Sequence, residues 1–340
     1  MKRILITGVT GQDGALLAEL LISSGEKNVF GIFRRGDNNK DWRLAEMGID
    51  KQIKLKECDL NDSLLLYSLL EEIKPDIVFH LAGYSYVGDS FKNPTKSING
   101  NLMPLINILE CMRRINPEAW IFTTSSSEIY AGNPNQIISE SSPASPLSPY
   151  GLAKHAGMQM GNVYRNAYNM KVCCGILFNH ESEYRSRSFV TRKITYNLAK
   201  RVLNPSLPPF ALGNLDTSRD WSYAGDFVEA FYQLSQKECS SDFIFASGVL
   251  TSLRDFIKAS GKALDIEISF EGKGINEKVI ESCSGRIICE VSSDYYRVVD
   301  SEGKVGDCSK LKSDINWHGS REVKDTVNAM INKDLKRLHE

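Results

Sequence analysis

The chain lacks several features that would assign it to a class at once. No apolar run approaches the roughly 20 residues that cross a bilayer, so we expect no membrane span. No basic block is present and the formal net charge is −1, which argues against a nucleic-acid partner. The eight cysteines include no Cys-x-x-Cys pair and have no His-rich companion segment, so we expect no metal site. With a first segment, MKRILITG, that runs directly into a strand pattern, we expect a cytoplasmic protein with reduced thiols and no signal peptide.

Short apolar runs alternate with longer helical patterns through the first half of the chain. The strand-like runs are RILITG, NVFGIF, IKLKECDL, DIVFHLAG, AWIFTT and KVCCGILF. Strict alternation with apolar strands predicts an α/β fold, a Rossmann-type doubly wound parallel sheet covered on both faces. After about Phe178 the order loosens. We therefore expect one domain at 1–178 and a smaller C-terminal lobe at 179–340, with some segments of that lobe returning to the sheet.

A glycine-rich segment, GVTGQDG, follows the first strand and opens the first helix. Gly8, Gly11 and Gly14 lack Cβ atoms, so the backbone can approach a pyrophosphate, and the helix N-terminus supplies N–H groups. The strand–turn–helix context that this pattern requires is present. The segment predicts a dinucleotide site, and the alternative is a tight turn only.

The second predicted strand ends in two arginines instead of an acid. An acid there would accept hydrogen bonds from the ribose 2′-hydroxyl of NAD, whereas Arg34 and Arg35 suit the 2′-phosphate of NADP. We therefore predict NADP as the cofactor. The alternative is a solvated surface pair. Asp59, at the end of the third strand, is expected to meet the adenine edge.

The fifth predicted strand ends in hydroxyls and a carboxylate. The segment SSSEIYAG follows AWIFTT and places Glu128 at the mouth of a core strand. The next helix opens with Tyr150 and Lys154, whose spacing puts both side chains on one helix face. The ammonium stabilises a tyrosinate, which can take a hydroxyl proton while hydride leaves the carbon. The alternatives are that Glu128 only caps a helix and that the pair is an ordinary helix face.

These motifs resemble an extended short-chain dehydrogenase/reductase, and within that group the GDP-mannose 4,6-dehydratase family. The resemblance covers almost the whole chain. It is carried by GVTGQDGALLAELL, GIFRRG, SSSEIYAG, SPYGLAKHAG, GILFNHES, FVTRKI and LGNLDTSRDWSYAGDFVEA.

The resemblance implies a GDP-sugar 4,6-dehydratase, an enzyme of the carbon–oxygen lyase class. Tyr150 would deprotonate the sugar 4-hydroxyl as hydride passes from C4 to NADP. Ser126 would hold that hydroxyl, and Glu128 would remove the C5 proton so that the C6 hydroxyl leaves as water. Hydride then returns to C6, which gives a 4-keto-6-deoxy sugar.

The resemblance also implies binding roles for residues along the whole chain. Cofactor contacts are expected at Gly8, Thr10, Gly11, Gln12, Asp13, Gly14, Arg34, Arg35, Asp59, Leu60, Leu81, Ala82, Tyr84, Tyr150, Lys154, Asn179 and His180. Substrate contacts are expected at Ser85, Ser126, Glu128, Asn179, Arg185, Val190, Lys193, Gly213, Arg219 and Arg297. A homodimer or homotetramer is expected, although the segment after Arg35 lacks the family's Ser-Ser-Phe-Asn loop that reaches a neighbouring subunit.

Several departures from the family pattern lie near the expected sugar site. Tyr84 and Tyr86 replace Gln and His, Ser222 and Tyr223 replace Gly and His, and the segment after HES reads EYRSRS. These departures suggest the same reaction on a different GDP-sugar, for which a manno-configured heptose is one candidate. The alternatives are a GDP-sugar 4-dehydrogenase, a 4-keto reductase, or a non-catalytic nucleotide-binding scaffold.

Overall fold

The computed structural model describes residues 2–34, 41–295, 303–319 and 321–340. The first half of the chain forms β1 (Ile4–Thr7), α1 (Gln12–Ser23), β2 (Val29–Phe33), α2 (Trp42–Glu46), β3 (Lys54–Glu57), α3 (Ser63–Ile73), β4 (Ile77–His80), α4 (Val87–Lys92), α5 (Pro94–Asn101), α6 (Met103–Ile115), β5 (Trp120–Ser126), a 3₁₀ helix (Ser127–Tyr130), β6 (Ile137–Ile138) and α7 (Pro149–Tyr168).

The second half forms shorter strands and further helices. They are β7 (Lys171–Leu177), β8 (Asn179–Glu181), α8 (Val190–Leu203), β9 (Phe210–Leu212), β10 (Ser218–Tyr223), α9 (Ala224–Gln236), β11 (Asp242–Phe245), β12 (Leu250–Ser252), α10 (Leu253–Lys262), β13 (Ile268–Glu271), a 3₁₀ helix (Gly274–Asn276), β14 (Lys278–Glu281), β15 (Arg286–Val291), β16 (Val305–Gly306), α11 (Ser309–Ile315) and α12 (Val323–His339).

A seven-stranded sheet organises the first unit. Its order is β11-β7-β5-β4-β1-β2-β3, and every neighbouring pair is parallel. The prediction of a doubly wound parallel sheet is confirmed. The order reverses at β1, with β2 on one side and β4 on the other, and ligands of such sheets bind beside the carboxyl ends at this switch point.

Helices cover both faces of the sheet, which explains why its central strands are apolar throughout. All residues of β1 and β4 are buried. On one face, side chains of α3 and α6 pack against the strands, among them Leu66, Leu70 and Ile108. Elsewhere in the sheet core, Phe122 of β5 meets Phe231 of α9 with ring centroids 4.4 Å apart. The core thereby fixes the strand ends that carry the polar residues.

Two helices occupy the segment between β4 and β5 whose sequence, PTKSINGNLMPLINILECMRRI, has the pattern of one long helix with Pro104 inside it. In the structure α5 ends at Asn101 and α6 begins at Met103. Proline has no N–H to donate and its ring clashes with the preceding turn, so it is tolerated in a first turn and not in an interior. Pro104 accordingly lies in the first turn of α6.

The described residues form two compact units. The first lies within 1–178, 224–245 and 306–319, so α9, β11 and α11 return to it from the second half of the chain. The second lies within 179–223, 246–305 and 320–340. It holds a three-stranded sheet, β12-β10-β8, and a four-stranded sheet, β13-β14-β15-β9. Its core packs side chains of α8, α10 and α12 together, including Ile194, Phe256 and Ile331.

Candidate active site

The glycine-rich turn between β1 and α1 leaves no room for side chains at two positions. Gly8 has φ +72°, and a Cβ on it would lie 2.8 Å from the backbone of Ala82. A Cβ on Gly14 would lie 2.3 Å from the carbonyl oxygen of Gly8. Helix α1 begins after Gly11, a residue that has no side chain with which to cap the helix. An uncapped helix start behind a bare turn fits the diphosphate of a dinucleotide.

The segment after β4 is tied to the end of β1. The N–H of Leu81 donates to the carbonyl of Thr7 at 3.2 Å, and the N–H of Ala82 donates to the Thr7 hydroxyl at 3.4 Å. The same hydroxyl lies 2.8 Å from Nδ1 of His80. Burial and the charge of Lys154 lower the pKa of His80 to about 3, so its imidazole stays neutral. The expected cofactor contacts Leu81 and Ala82 therefore sit on a rigid edge.

The predicted cofactor-selecting residues follow β2 and β3. Arg34 follows β2 directly, and its Nη1 donates to the Tyr84 hydroxyl at 2.5 Å. Asp59 follows β3 and accepts from the N–H of Asn61 at 3.0 Å. Leu60 is buried beside it. Arg35, the second arginine of the cofactor prediction, lies outside the described residues.

Two side chains near this edge were not found from the sequence. Arg43 at the start of α2 donates from Nη1 to the carbonyl of Thr10 in the glycine-rich turn at 2.9 Å. Asn101 of α5 accepts from the N–H of Tyr84 at 3.1 Å. Neither position stands in a recognisable motif. Long-range contacts of single polar side chains leave no periodic signal in a sequence, so pattern reasoning misses them.

The serine hydroxyls at and after the end of β5 have different hydrogen-bond partners. The Ser125 hydroxyl donates to the carbonyl of Lys154 at 3.3 Å. The Ser126 hydroxyl accepts from the N–H of Glu128 at 3.3 Å and so caps the short 3₁₀ helix. The Ser148 hydroxyl accepts from the N–H of Gly151 at 3.0 Å and caps α7. The caps of both helices are serines, so capping does not account for Glu128.

Helix α7 brings the tyrosine and lysine against this strand end. Tyr150 and Lys154 are 7% and 9% exposed. A Cβ on Gly151 would lie 2.7 Å from the carbonyl oxygen of Glu128, so the helix start lies directly against the backbone of that residue. Glycine at this position thus lets the start of α7, which carries Tyr150, approach the backbone of Glu128.

Lys154 is held by the end of strand β5. Its Nζ donates to the carbonyl and the hydroxyl of Thr124 at 3.0 and 3.1 Å, and lies 6.0 Å from the ring centroid of Tyr150. Burial lowers the pKa of Lys154 to about 8. A desolvated ammonium that still carries its charge near neutral pH favours ionisation of a nearby phenol.

The second unit carries the expected nucleotide contacts. Asn179 and His180 lie in β8, opposite Trp221 and Ser222 of β10. Lys193 of α8 places Nζ 3.7 Å from the ring centroid of Tyr295. A Cβ on Gly213 would lie 2.4 Å from the Tyr295 carbonyl oxygen. Lys193 and Gly213 are thus gathered around Tyr295, which the sequence did not point to.

The other expected nucleotide contacts are spread over the same unit. Nε of Arg185 lies 3.4 Å from Oε2 of Glu181, and its guanidinium carbon lies 3.6 Å from the ring centroid of Phe189. Val190 is the first residue of α8. Arg219 donates from Nη1 to the carbonyl of Ser218 at 2.8 Å. Arg297 lies outside the described residues.

Two of the departures from the family pattern contact each other. The Tyr223 hydroxyl lies 3.4 Å from Oε2 of Glu183, and the guanidinium of Arg321 stacks 3.7 Å from the Tyr223 ring centroid. Ser222, beside Tyr223, is buried, and its hydroxyl has no hydrogen-bond partner among the described residues. These replacements therefore form one local group.

The described ranges contain neither a metal-binding cluster nor a membrane-spanning helix. In those ranges, no three His, Cys, Asp or Glu side chains are grouped so that they could hold a metal ion. No helix in the described part of the chain has the length and apolarity to cross a membrane.

A dinucleotide-type sheet with a tyrosine and lysine beside the end of its fifth strand defines an extended short-chain dehydrogenase/reductase. The sequence pattern of the GDP-mannose 4,6 dehydratase family matches residues 5–330, and the chain belongs to that family. The GDP-mannose 4,6 dehydratase of Drosophila melanogaster is 35% identical over 345 residues, covering 99% of this chain and 87% of its own. The GDP-mannose 4,6-dehydratase of Vibrio cholerae is 36% identical over 352 residues, covering 98% and 94%.

Solved structures share the fold at lower identity. RMD from Pseudomonas aeruginosa complexed with NADPH superposes with a TM-score of 0.75 at 19% identity, covering 99% of this chain and 100% of its own. The UDP-glucuronic acid 4-epimerase of Bacillus cereus in complex with UDP-glucuronic acid and NAD superposes with a TM-score of 0.81 at 19% identity, covering 99% of each chain. Since the fold includes structures with each cofactor, it does not decide between them.

Proposed function

We propose that the chain is a GDP-sugar 4,6-dehydratase that converts a GDP-hexose or GDP-heptose to its 4-keto-6-deoxy form. The observation that carries the proposal is the juxtaposition of Glu128 and Tyr150 through Gly151. An oxidation at C4 requires a tyrosine and a lysine only, whereas elimination of water requires an additional acid–base group. The relatives at 35–36% identity are named GDP-mannose 4,6-dehydratases, which supports the same reaction.

In the first step, Tyr150 takes the proton of the sugar 4-hydroxyl. Lys154 stabilises the tyrosinate through its charge, and the Ser126 hydroxyl holds the reacting oxygen. A bound nicotinamide supplies the hydride acceptor for C4 and later the hydride donor for C6. The 4-ketone acidifies C5, so a carboxylate can remove the C5 proton.

In the second step, Glu128 removes the C5 proton and delivers it to the C6 hydroxyl, which leaves as water. After hydride reaches C6, C5 regains one proton, which balances the proton that Tyr150 took from O4. The net change is the loss of one water molecule. The cofactor ends in the oxidation state in which it began, so the enzyme needs no external oxidant.

NADP is the proposed cofactor. Arg34 lies at the end of β2, where the ribose 2′ position of the dinucleotide is recognised, and a guanidinium matches a phosphate in charge and geometry. In the second unit, Asn179, Arg185, Val190, Lys193, Gly213 and Arg219 are proposed to bind the GDP moiety, as is Arg297.

A homo-oligomer and a cytoplasmic location are also proposed. Helix α7 exposes Leu152 and Val163, which are 53% and 48% accessible although both are apolar. Such side chains on one long helix favour pairing with a second copy.

All eight cysteines are free, which fits a reducing compartment such as the cytoplasm.

The reaction is tested by incubating the purified protein with a panel of GDP-sugars in large excess over NADP, which is added in an amount equal to the enzyme. Mass spectrometry should find the loss of one water from one member of the panel. Release of reduced cofactor with a 4-keto product that retains its C6 hydroxyl would instead identify a 4-dehydrogenase. The Tyr223–Glu183 pair makes a GDP-heptose an informative member of the panel, since both residues depart from the family pattern.

A further inference from the structure

Tyr84 lies between two cations at the end of the sheet where the cofactor's 2′ position is recognised. Nη1 of Arg34 donates to its hydroxyl at 2.5 Å, and the guanidinium carbon lies 5.4 Å from its ring centroid. Nζ of Lys96, on α5, lies 4.9 Å from the same centroid. One aromatic side chain thus contacts a cation from the end of β2 and another from a helix.

The tyrosine itself is held firmly. Its N–H donates to Oδ1 of Asn101 at 3.1 Å, and Nδ2 of Asn101 donates to the carbonyl of Ser97 at 2.8 Å. A Cβ on Gly100 would lie 2.1 Å from two carbons of the Tyr84 ring, so the ring packs directly on the glycine backbone. Helix α5 therefore fixes the position of the ring, and the ring can fix the side chains that contact it.

The fixed position of Tyr84 matters most for Arg34, because it orders the arginine side chain. An arginine side chain loses much rotamer freedom when it binds a phosphate, and that loss reduces affinity unless the side chain is already ordered. The Tyr84 hydroxyl can only accept from the guanidinium, which leaves the remaining N–H donors of Arg34 available to phosphate oxygens. Among the described residues, Asp59 is an acidic group that faces Arg34, and Lys96 adds a second positive charge at the ring that Arg34 contacts.

We propose that Tyr84 is a positioning residue that holds Arg34 and Lys96 as a cation pair for the ribose 2′-phosphate of the cofactor. The inference rests on the proposed preference for NADP and extends it to two residues, Tyr84 and Lys96, that act together with Arg34. The tyrosine hydroxyl orders the guanidinium, and the ring keeps the ammonium nearby.

The test is calorimetric binding of two small probes to the full chain, adenosine 2′,5′-bisphosphate and 5′-AMP. The probes differ only in the 2′-phosphate and require no turnover. Tyr84→Phe should weaken binding of the bisphosphate by about fivefold to thirtyfold, because a hydrogen bond to a charged group is lost. Binding of 5′-AMP should change by less than about twofold, since no contact of Tyr84 with the adenosine is involved. Tyr84→Leu, which also removes the ring beside Lys96, should weaken bisphosphate binding further.

Two further variants separate positioning from general damage. In an Arg34→Ala background, adding Tyr84→Phe should leave bisphosphate affinity unchanged, because the hydroxyl acts through Arg34. Tyr232→Phe is the matched control, since its hydroxyl donates to Glu26 at 3.1 Å and the change should alter neither probe. The inference would be overturned if Tyr84→Phe weakened the binding of both probes equally. It would also be overturned if Tyr84→Phe weakened bisphosphate binding as much in the Arg34→Ala background as in the unmodified protein. Equal affinity of the unmodified protein for NADP and NAD would instead overturn the proposed cofactor.

Discussion

Nζ of Lys154 donates hydrogen bonds to both the carbonyl and the hydroxyl oxygen of Thr124, at 3.0 and 3.1 Å. Thr124 lies in β5, two residues before Ser126. The strand that ends in Ser126, the proposed holder of the sugar hydroxyl, therefore also holds the ammonium that is proposed to assist Tyr150. Both of these acceptors are neutral, so they do not cancel the lysine charge, which remains available to a tyrosinate.

Removing the threonine hydroxyl should shift the alkaline limb of the pH–rate profile. Thr124→Val deletes one acceptor of the Lys154 ammonium, which lowers the lysine pKa further below about 8. The alkaline limb of kcat should then move to lower pH by about one unit, given what a hydrogen bond to a charged group contributes. Thr123→Val is the control, since side chains alternate along the strand and Thr123 points to the other face. If the alkaline limb of kcat does not shift in Thr124→Val, the ionisation that controls the rate is not that of Lys154.

Burial of the Lys154 ammonium should make stability depend on pH in a defined window. Its pKa of about 8 in the folded protein is below the ordinary value of 10.5, so the unfolded chain binds more protons between these values. Stability from this group rises from pH 8 to 10.5 and is lowest below pH 8. Lys154→Met removes the penalty and should be inactive yet at least as stable as the unmodified protein near pH 7.

Urea unfolding of both proteins across this range provides the measurement. The stability advantage of Lys154→Met should shrink as the pH rises from 8 to 10.5, because the wild-type lysine becomes neutral. A constant difference over that range would mean that the lysine titrates at its ordinary pKa.

The glycine-rich turn should not tolerate a methyl group at Gly14. A Cβ there would lie 2.3 Å from the Gly8 carbonyl, so Gly14→Ala must displace the turn, with a stability loss of about 1–3 kcal/mol and weaker dinucleotide binding. The control is Gly161→Ala within α7, where the added Cβ would meet Val172 at an ordinary 3.4 Å. That change should raise stability by about 0.5–1 kcal/mol. Dye-detected melting with and without NADP measures both effects, and normal cofactor binding by Gly14→Ala would contradict the assigned turn.

The oligomer proposal predicts that charge on the outer face of α7 produces monomers. Leu152 and Val163 are 11 positions apart, about three turns, so they share one face of the helix. Leu152→Glu together with Val163→Glu should convert a dimer or larger assembly to a monomer at micromolar concentration. Light scattering distinguishes the states. Leu64→Glu is the control, because Leu64 is 83% exposed and lies on a different helix, α3.

The sequence was sufficient for those parts of the molecule that follow from local pattern. Apolar strands alternating with amphipathic helices predicted the parallel sheet, and the carboxyl ends of parallel strands meet at one edge. For that reason the hydroxyls that end β5 and the glycine-rich turn that follows β1 lie at the same edge of the sheet.

The remaining features depend on single contacts between distant segments. No pattern around Asn101 indicates that it supports the backbone of Tyr84, and nothing near Arg43 indicates its contact with Thr10. The role of Gly151 is visible only once α7 is packed against the backbone of Glu128. Whether Glu128 served as a helix cap was also undecidable from the sequence, because several neighbouring serines could fill that position equally well.

The central claim is that Glu128 performs the elimination and Tyr150 the preceding oxidation. The most direct measurement is the absorbance of reduced nicotinamide after mixing GDP-sugar substrate with the NADP-loaded variants Glu128→Gln and Tyr150→Phe. Glu128→Gln should accumulate reduced cofactor, and dehydrated product should fall roughly 10²–10⁴-fold, as expected for the loss of a positioned acid–base group. Tyr150→Phe should form neither reduced cofactor nor dehydrated product. Normal formation of the 4-keto-6-deoxy product by Glu128→Gln would contradict the account.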